Sequence, residues 1–301
     1  MPASRSRTER WRDSLRQVHE RDGALEISIP TSRPATAPGA GGGVQTESGW
    51  HGADLIWRVR ILSLSDAEIL VEQPSAAGAW IDLHAGTRLI GVIAIGQNRW
   101  MFHTRVISPG PGSGRACPVR TLRLSMPTNV ERCQRRNFFR ISTAELSLPV
   151  VECWPLLDPG TVAPAELANR AHIQDLLDSG SAPRSTEESF ILPEVGPKFT
   201  ARLMNIGGGG AGLIINPSDA GAADRARLYW MRLDLTPHVP APIGITARLV
   251  HTHVDSTQSV YAGMAFDWSF NPPHRDFVVE QICRCVNLIQ REQAIQLRTA
   301  S

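Results

Sequence analysis

The chain has 301 residues, of which 42% are hydrophobic and 20% are charged, a composition typical of a folded protein long enough for two modest domains. Its formal net charge is +2, so the field of the whole chain does not indicate a nucleic-acid polymer as partner, and any anion site must be local. No apolar run reaches the roughly 18 residues of a membrane span, and no apolar core follows the N-terminal arginines, so we expect neither a span nor a secretory signal.

The five cysteines are scattered, and their odd number and spacing do not fit a zinc site or a disulfide framework. They are Cys117, Cys133, Cys153, Cys283 and Cys285. This usage favours free thiols in a reducing cytoplasm, with no metal and no cofactor.

Residues 1–49 are predicted to hold a short helix, a strand and a linker. Trp11, Leu15 and Val18 recur at intervals of four and three within residues 8–22, which is the spacing of an amphipathic helix. Residues 25–29 alternate like a strand. Residues 30–49 are rich in Pro, Ala, Gly and Ser, a composition typical of a flexible linker.

Residues 50–130 are predicted to form a small β-barrel. Short alternating runs, separated by turn residues, are typical of an all-β barrel or sandwich, and their spacing fits a small barrel. The runs cover residues 55–62, 68–72, 86–93, 99–107 and 120–127.

An arginine-rich stretch follows, in which Arg135, Arg136 and Arg140 flank Phe138 and Phe139. The planar guanidinium group pairs with phosphate through two hydrogen bonds and stacks on flat ring faces. Arg136 and Arg140 are four residues apart, so they could close on one anion from two sides. On spacing alone, a solvated basic turn between two strands explains the run equally well.

About 65 residues further on, one strand enters a glycine turn and a second strand leaves it. The turn, residues 207–210, follows Asn205. Residues 207–212 contain the spacing Gly-x-Gly-x-x-Gly, but a strand-like run stopped by Pro217 follows them instead of a helix. A dinucleotide site of the Rossmann type is therefore not predicted.

Together, the arginine stretch and the glycine turn resemble the PilZ family of cyclic di-GMP receptors, which pairs Arg-x-x-x-Arg with a later (Asp/Asn)-x-Ser-x-x-Gly. The order of the elements resembles the flagellar-brake type, in which a barrel precedes the arginines. Gly207 stands where the family usually has serine, and the missing hydroxyl predicts weaker binding. The ligand-binding residues that the resemblance implies are Arg135, Arg136, Arg140, Asn205, Gly207 and Gly210.

The resemblance implies a mainly β chain of two small barrels, the second a six-stranded PilZ-like barrel within residues 131–301. Its strands are expected near residues 147–153, 201–215, 228–235, 243–254 and 259–267, with a C-terminal helix over about 272–294. Residues 156–197 are expected to be an insert on the surface, with a helix over 164–178.

The function implied is that of a bacterial, cytoplasmic c-di-GMP effector without enzymatic activity. Ligand binding at the arginine loop between the barrels would rearrange them, and an unidentified protein partner would read the change. The alternative is a scaffold that keeps the fold and binds no nucleotide. His251 and His253 with Asp255 could be metal ligands, but an exposed polar strand face is the more ordinary explanation. No Gly-x-Ser-x-Gly sequence indicates a hydrolase.

Overall fold

The computed structural model describes residues 11–30, 55–95, 98–110, 120–133, 148–180, 191–223, 226–254 and 258–299. The described chain is mainly β, as expected. The helices are α1 (Trp11–Glu20), α2 (Val162–Ser179), α3 (Ala220–Ala223) and α4 (His274–Thr299), and the strands of the first half are β1 (Ala24–Ser28), β2 (Ile56–Leu64), β3 (Glu68–Glu72), β4 (Ser75–Ala76), β5 (Ala79–Trp80), β6 (Arg88–Ile95), β7 (Asn98–Pro109), β8 (Thr121–Ser125) and β9 (Glu131–Cys133). The strands of the second half are β10 (Val150–Asp158), β11 (Glu194–Val195), β12 (Phe199–Ile206), β13 (Gly210–Ile215), β14 (Leu228–Leu233), β15 (Ile243–Val254) and β16 (Val260–Phe266).

Six strands close the first barrel in the order β1, β2, β3, β8, β7 and β6, and every neighbouring pair is antiparallel. Successive side chains along its strands point alternately into and out of the barrel, and the inward ones form its core. In β3, for example, Ile69 and Val71 are buried while the flanking residues are partly exposed. The predicted barrel covered residues 50–130 and did not include β1. The structure places β1 between β2 and β6, so the ring closes only with residues that precede the predicted linker.

Helix α1 lies against the first barrel, where the predicted stripe of Trp11, Leu15 and Val18 is buried. The predicted helix is confirmed over the described part of its range. Residues 31–54, most of the predicted linker, lie outside the described residues.

The second barrel is a closed antiparallel ring in the order β10, β12, β13, β16, β15 and β14. Its interior is filled by inward residues such as Leu203, Leu213, Ala247 and Met264. This is the six-stranded barrel with a C-terminal helix that the resemblance implied. The two barrels meet at a parallel bridge between Ile206 of β12 and Trp57 of β2.

The predicted insert, residues 156–197, packs closely on the second barrel. Strand β10 pairs with barrel strand β14 up to Pro155, and its Leu156 and Asp158 then pair with β11, which lies within the insert. Helix α2 is not a surface excursion, because its Ala165, Asn169 and Ile173 are buried. Leu167 of the same helix is exposed.

Two polar residues of α2, Glu166 and Asn169, hold the helix against strand β15. Asn169 Oδ1 accepts a hydrogen bond from the Gly244 N–H at 2.8 Å, and its Nδ2 donates to the Pro242 carbonyl at 2.9 Å. Glu166 Oε1 accepts from the Thr246 hydroxyl at 3.1 Å. The buried polar side chains of α2 are thus satisfied by hydrogen bonds to β15 and to the residue before it.

Helix α4 joins the two barrels. Its first half packs into the main core through Phe277, Val278 and Ile282, and its second half binds the first barrel through glutamines. Gln290 Oε1 accepts hydrogen bonds from the His84 N–H at 2.8 Å and the Thr87 hydroxyl at 2.9 Å. The predicted C-terminal helix is thus confirmed and runs five residues further than expected. Within the described residues, no helix is both long and apolar enough to cross a bilayer.

Candidate functional site at the barrel junction

The glycine turn, residues 207–210, lies where the second barrel meets the first. The Gly207 N–H donates to the Gly210 carbonyl at 2.8 Å and closes the turn. From the first barrel, the Ala77 N–H donates to the Gly207 carbonyl at 3.1 Å. Arg275 of α4 completes the contact, because its Nε donates to the Ala77 carbonyl at 2.8 Å. The turn therefore touches both barrels and the helix that joins them.

Close approach to a neighbouring strand explains Gly210 of this turn, and no glycine of residues 207–210 has a left-handed backbone. Left-handed φ values among the glycines occur at Gly78, Gly86 and Gly180 within the described chain. A side chain on Gly210 would collide with the Met264 carbonyl of the neighbouring strand. At Gly207 the nearest atom to an added Cβ is the Gly210 carbonyl oxygen, 4.0 Å away.

Asn205 begins a row of residues that crosses the outer face of the second barrel. The strand register aligns Asn205 with Gly212, Gly212 with Gly263, and Gly263 with His251. Two glycines therefore occupy the middle of the row, between an amide and an imidazole. We call this surface the Asn205 face, defined by Asn205, Gly212, Gly263, Tyr261 and His251.

Tyr261 fills the space above Gly212, and the His251 ring fills the space above Gly263. Asn205 Nδ2 donates to the Tyr261 hydroxyl at 3.5 Å, and that hydroxyl lies where a Cβ on Gly212 would stand. The Tyr261 ring centroid is 4.9 Å from that of His253 and 6.0 Å from that of His251, with interplanar angles of 34° and 31°. A half-buried phenol and two exposed imidazoles thus form a flat aromatic surface beside Asn205.

The sequence analysis did not connect Tyr261 with Asn205. The signal that could have found it is alternation, which puts Tyr261 and Gly263 on one face of β16. Only the register with β13 shows that this face adjoins Asn205, and a register between strands almost 50 residues apart is not readable from one sequence.

Arg135, Arg136 and Arg140 lie outside the described residues, within the segment 134–147. The residues at both ends of that segment are described. Strand β9 pairs with β7 of the first barrel. At the other end, Leu148 packs on Ile56, Ile90, Val92 and Met101 of the first barrel, and the Pro149 carbonyl accepts from the Leu203 N–H at 3.0 Å. The arginine segment therefore starts at the first barrel and ends beside the strand that carries Asn205.

His251 and His253 belong to no group of metal ligands among the described residues. The histidine rings pack on Tyr261, and Asp255 lies outside the described residues. No group of three or more His, Cys, Asp or Glu side chains in the described part of the chain could hold a metal ion.

A second polar cluster lies away from the Asn205 face, between α2, β15 and α4. Burial raises the pKa of Glu166 from its ordinary value of 4.5 to about 7, with the opposing hydrogen bond from Thr246 only partly offsetting it. Burial also lowers the pKa of His274, whose Nε2 lies 2.8 Å from the Gly244 carbonyl. Both groups are enclosed, with exposed fractions of 1% and 2%, so they support the fold rather than offer a binding surface.

No protein-family model matches the sequence, and no curated protein does either. Among solved structures, the chain is similar to the inhibitor of motility MotI/DgrA of Bacillus subtilis, at 12% identity and a TM-score of 0.28, over 89% of this chain and 98% of that one. It is similar to YcgR from Escherichia coli in complex with c-di-GMP, at 12% identity and a TM-score of 0.29, over 95% of this chain and 92% of that one. It is also similar to MrkH from K. pneumonia in its apo state, at 12% identity and a TM-score of 0.28, over 96% and 95%. Because these identities and TM-scores are low, the function is argued below from the residues of this chain.

Proposed function

We propose that this chain is a bacterial, cytoplasmic receptor for cyclic di-GMP that binds the nucleotide between the arginine segment and the Asn205 face. The observation that carries the proposal is the junction itself. Asn205, the glycine turn and the described ends of the arginine segment all meet where the two barrels touch.

The chemistry of the ligand matches these groups. Cyclic di-GMP presents two phosphates and two guanines, which are anionic edges and flat π faces. Arg135, Arg136 and Arg140 supply charge-assisted donors for phosphate or guanine acceptors and planar faces for stacking. Asn205 supplies an amide for a guanine edge, and the Tyr261 ring offers a flat surface next to it.

The same location suggests how binding would produce a signal. The turn is bonded to Ala77 of the first barrel, and Ala77 is bonded to Arg275 of the joining helix. A ligand that draws the arginine segment onto the second barrel would change the contacts that hold the barrels in their present arrangement. A partner protein that controls motility or surface attachment would read that arrangement.

One observation favours the alternative, a scaffold that does not bind nucleotide. The Gly207 carbonyl already accepts a hydrogen bond from Ala77, and Asn205 already donates to Tyr261. The motif residues of the second barrel thus have structural partners in this state. In a scaffold, these structural hydrogen bonds would be the whole role of the two residues.

Isothermal titration of cyclic di-GMP against the full chain and against Arg136→Ala separates the two functions. The receptor predicts heat with the wild type and its loss in the variant, because a charge-assisted hydrogen bond contributes roughly 1.5–3 kcal/mol and the bound nucleotide would accept more than one from Arg136. The matched control is Arg16→Ala, an exposed arginine of α1 paired only loosely with Asp13 at 3.4 Å. It should bind like the wild type. Absence of heat with the wild type would leave the scaffold as the function.

A further inference from the structure

The last residues of strand β15 have one unpaired edge. The ladder with β14 ends at Arg248, opposite Leu228, and one more backbone bond follows, from the Leu249 N–H to the Arg227 carbonyl at 2.9 Å. On the other edge, pairing with β16 continues to Val254, opposite Val260. Within the described residues, nothing pairs with the outer edge of residues 250–254, so its free N–H and C=O groups can accept another strand.

This edge lacks the charges and prolines that usually protect an exposed strand from pairing. Its sequence is Val250-His251-Thr252-His253-Val254, with no acidic or basic residue other than histidine and no proline. Val250 and Val254 are 62% and 66% exposed. A β-bulge lies between Leu249 and His251, where the pairing with β14 ends, and the segment beyond it stays paired with β16 alone among the described strands.

The five residues read the same in both directions. In an antiparallel pair of two copies centred on Thr252, Thr252 would face its own counterpart, His251 would face His253, and Val250 would face Val254. Each side chain then meets a partner of its own kind, and each contact away from the axis occurs twice, as in any two-fold symmetric interface. β-branched pairs placed opposite each other stabilise antiparallel strands.

We propose that a second copy of this chain pairs with residues 250–254 of β15, forming a two-fold dimer through a continuous antiparallel sheet. The axis passes between the two Thr252 residues and stands perpendicular to the sheet. The outer faces of both barrels therefore lie on the same side, with the two Tyr261 rings near the axis. The dimer is independent of nucleotide binding and is weak, since a five-residue strand pair buries little surface.

The test is sedimentation equilibrium of the full chain over a wide concentration range, for the wild type, Thr252→Lys and Thr252→Glu. Thr252 is exposed, so either substitution leaves the barrel core intact. The dimer association constant of each variant alone should be at least tenfold lower than that of the wild type, because two like charges would face each other across the axis. The matched control is Thr200→Lys, an exposed threonine on β12, which is paired with β10 and β13. It should associate like the wild type.

An equal mixture of Thr252→Lys and Thr252→Glu gives the decisive result, because only a contact on the two-fold axis brings these residues together. We expect the mixture to regain dimer at or above the wild-type level. A monomeric wild type at every concentration overturns the proposal. So does association of Thr252→Lys alone at the wild-type level, or a mixture that stays monomeric.

Discussion

At the scale of single residues, Gly207 is the point where this chain departs from the motif that it otherwise resembles. The structure shows that a side chain would fit there, since nothing lies closer than 4.0 Å to an added Cβ and the backbone is not left-handed. The serine hydroxyl is therefore absent without a steric reason. Asn205 lies on the outer face of the second barrel, and Gly210 lies against Met264.

We expect Gly207→Ser to bind cyclic di-GMP roughly tenfold more tightly than the wild type, because a hydrogen bond to a charged group contributes about 1.5 kcal/mol or more. Isothermal titration of the full chain measures the change. The matched control is Gly209→Ser, which also has open space around its Cβ but is not a motif position. Equal affinity of Gly207→Ser and Gly209→Ser would contradict the assignment of Gly207 to the ligand site.

At the scale of elements, helix α2 shows how an insert is held against a barrel. Glu166 and Asn169 lie on its buried face and bind strand β15 through hydrogen bonds. Arg170, on the same helix, lies over the Phe277 ring of α4 at 5.8 Å and helps to lower the pKa of His274. The contact between α2, β15 and α4 is thus held by groups whose charge changes with pH.

The raised pKa of Glu166 predicts that the free energy of unfolding of the wild type falls as pH rises from about 4.5 to about 7. The folded chain keeps the Glu166 proton up to about pH 7, whereas the unfolded chain releases it near pH 4.5, so the unfolded state binds fewer protons between these values. Relative to Glu166→Gln, the free energy of unfolding of the wild type should fall by roughly 3 kcal/mol between pH 4.5 and pH 7.5. Urea denaturation at both pH values measures this difference.

The comparison with Glu166→Gln is needed because His274 acts in the opposite direction. Its lowered pKa makes stability fall as pH decreases below its ordinary value of 6.5. The effect of His274 is present in both proteins and cancels in the difference. Asp178→Asn, an exposed acid on α2, is the control and should follow the wild type at both pH values. A Glu166→Gln difference that does not change with pH would contradict the raised pKa, because it would show that the carboxyl binds its proton equally well in the folded and unfolded chains.

The sequence predicted most elements but not the contacts between them. Alternation predicted the bounds of β3 as the structure has them, because its residues are alternately buried and partly exposed. The bounds of β15 were also predicted, although residues 243–247 are all buried and residues 250–254 are all exposed. Alternation did not predict that β1 closes the first barrel, since that pairing joins residues on both sides of residues 31–54. Burial of Glu166 and Asn169 was not predictable either, because their partners lie about 75 or more residues away on β15. The ligand-site arginines remain a prediction.

At the scale of the whole molecule, the glutamines of α4 hold the first barrel onto the second. Gln290 is 6% exposed and also donates from Nε2 to the Asp82 carbonyl at 3.2 Å. Gln293 Oε1 accepts from the Arg88 N–H at 3.1 Å, and its Nε2 donates to the Pro30 carbonyl at 3.1 Å. The helix thus binds two separate parts of the first barrel through side-chain amides.

Gln290→Ala should destabilise the docking of the barrels by about 3 kcal/mol, because it leaves the His84 N–H and the Thr87 hydroxyl without a partner. We expect urea unfolding to separate into two transitions, one for each barrel, where the wild type shows one. Tryptophan fluorescence together with circular dichroism measures the separation. The control is Gln296→Ala, whose side chain accepts one described hydrogen bond, an exposed one from Arg88 at 3.5 Å. Coincident transitions in Gln290→Ala would mean that the apolar contacts of α4 are sufficient.

Helix α4 is also the last described element to leave the ribosome, and this order of synthesis has a consequence. The strands of the first barrel are complete by Ser125, yet the glutamines that cap it are made about 165 residues later. Until then the backbone groups of His84 and Arg88 must stay hydrated, and the nascent chain carries an unfinished surface. A stop codon or a protease cut before Gln290 would remove these hydrogen bonds and leave the apolar contacts of α4 and the bridge between β2 and β12 to hold the barrels together.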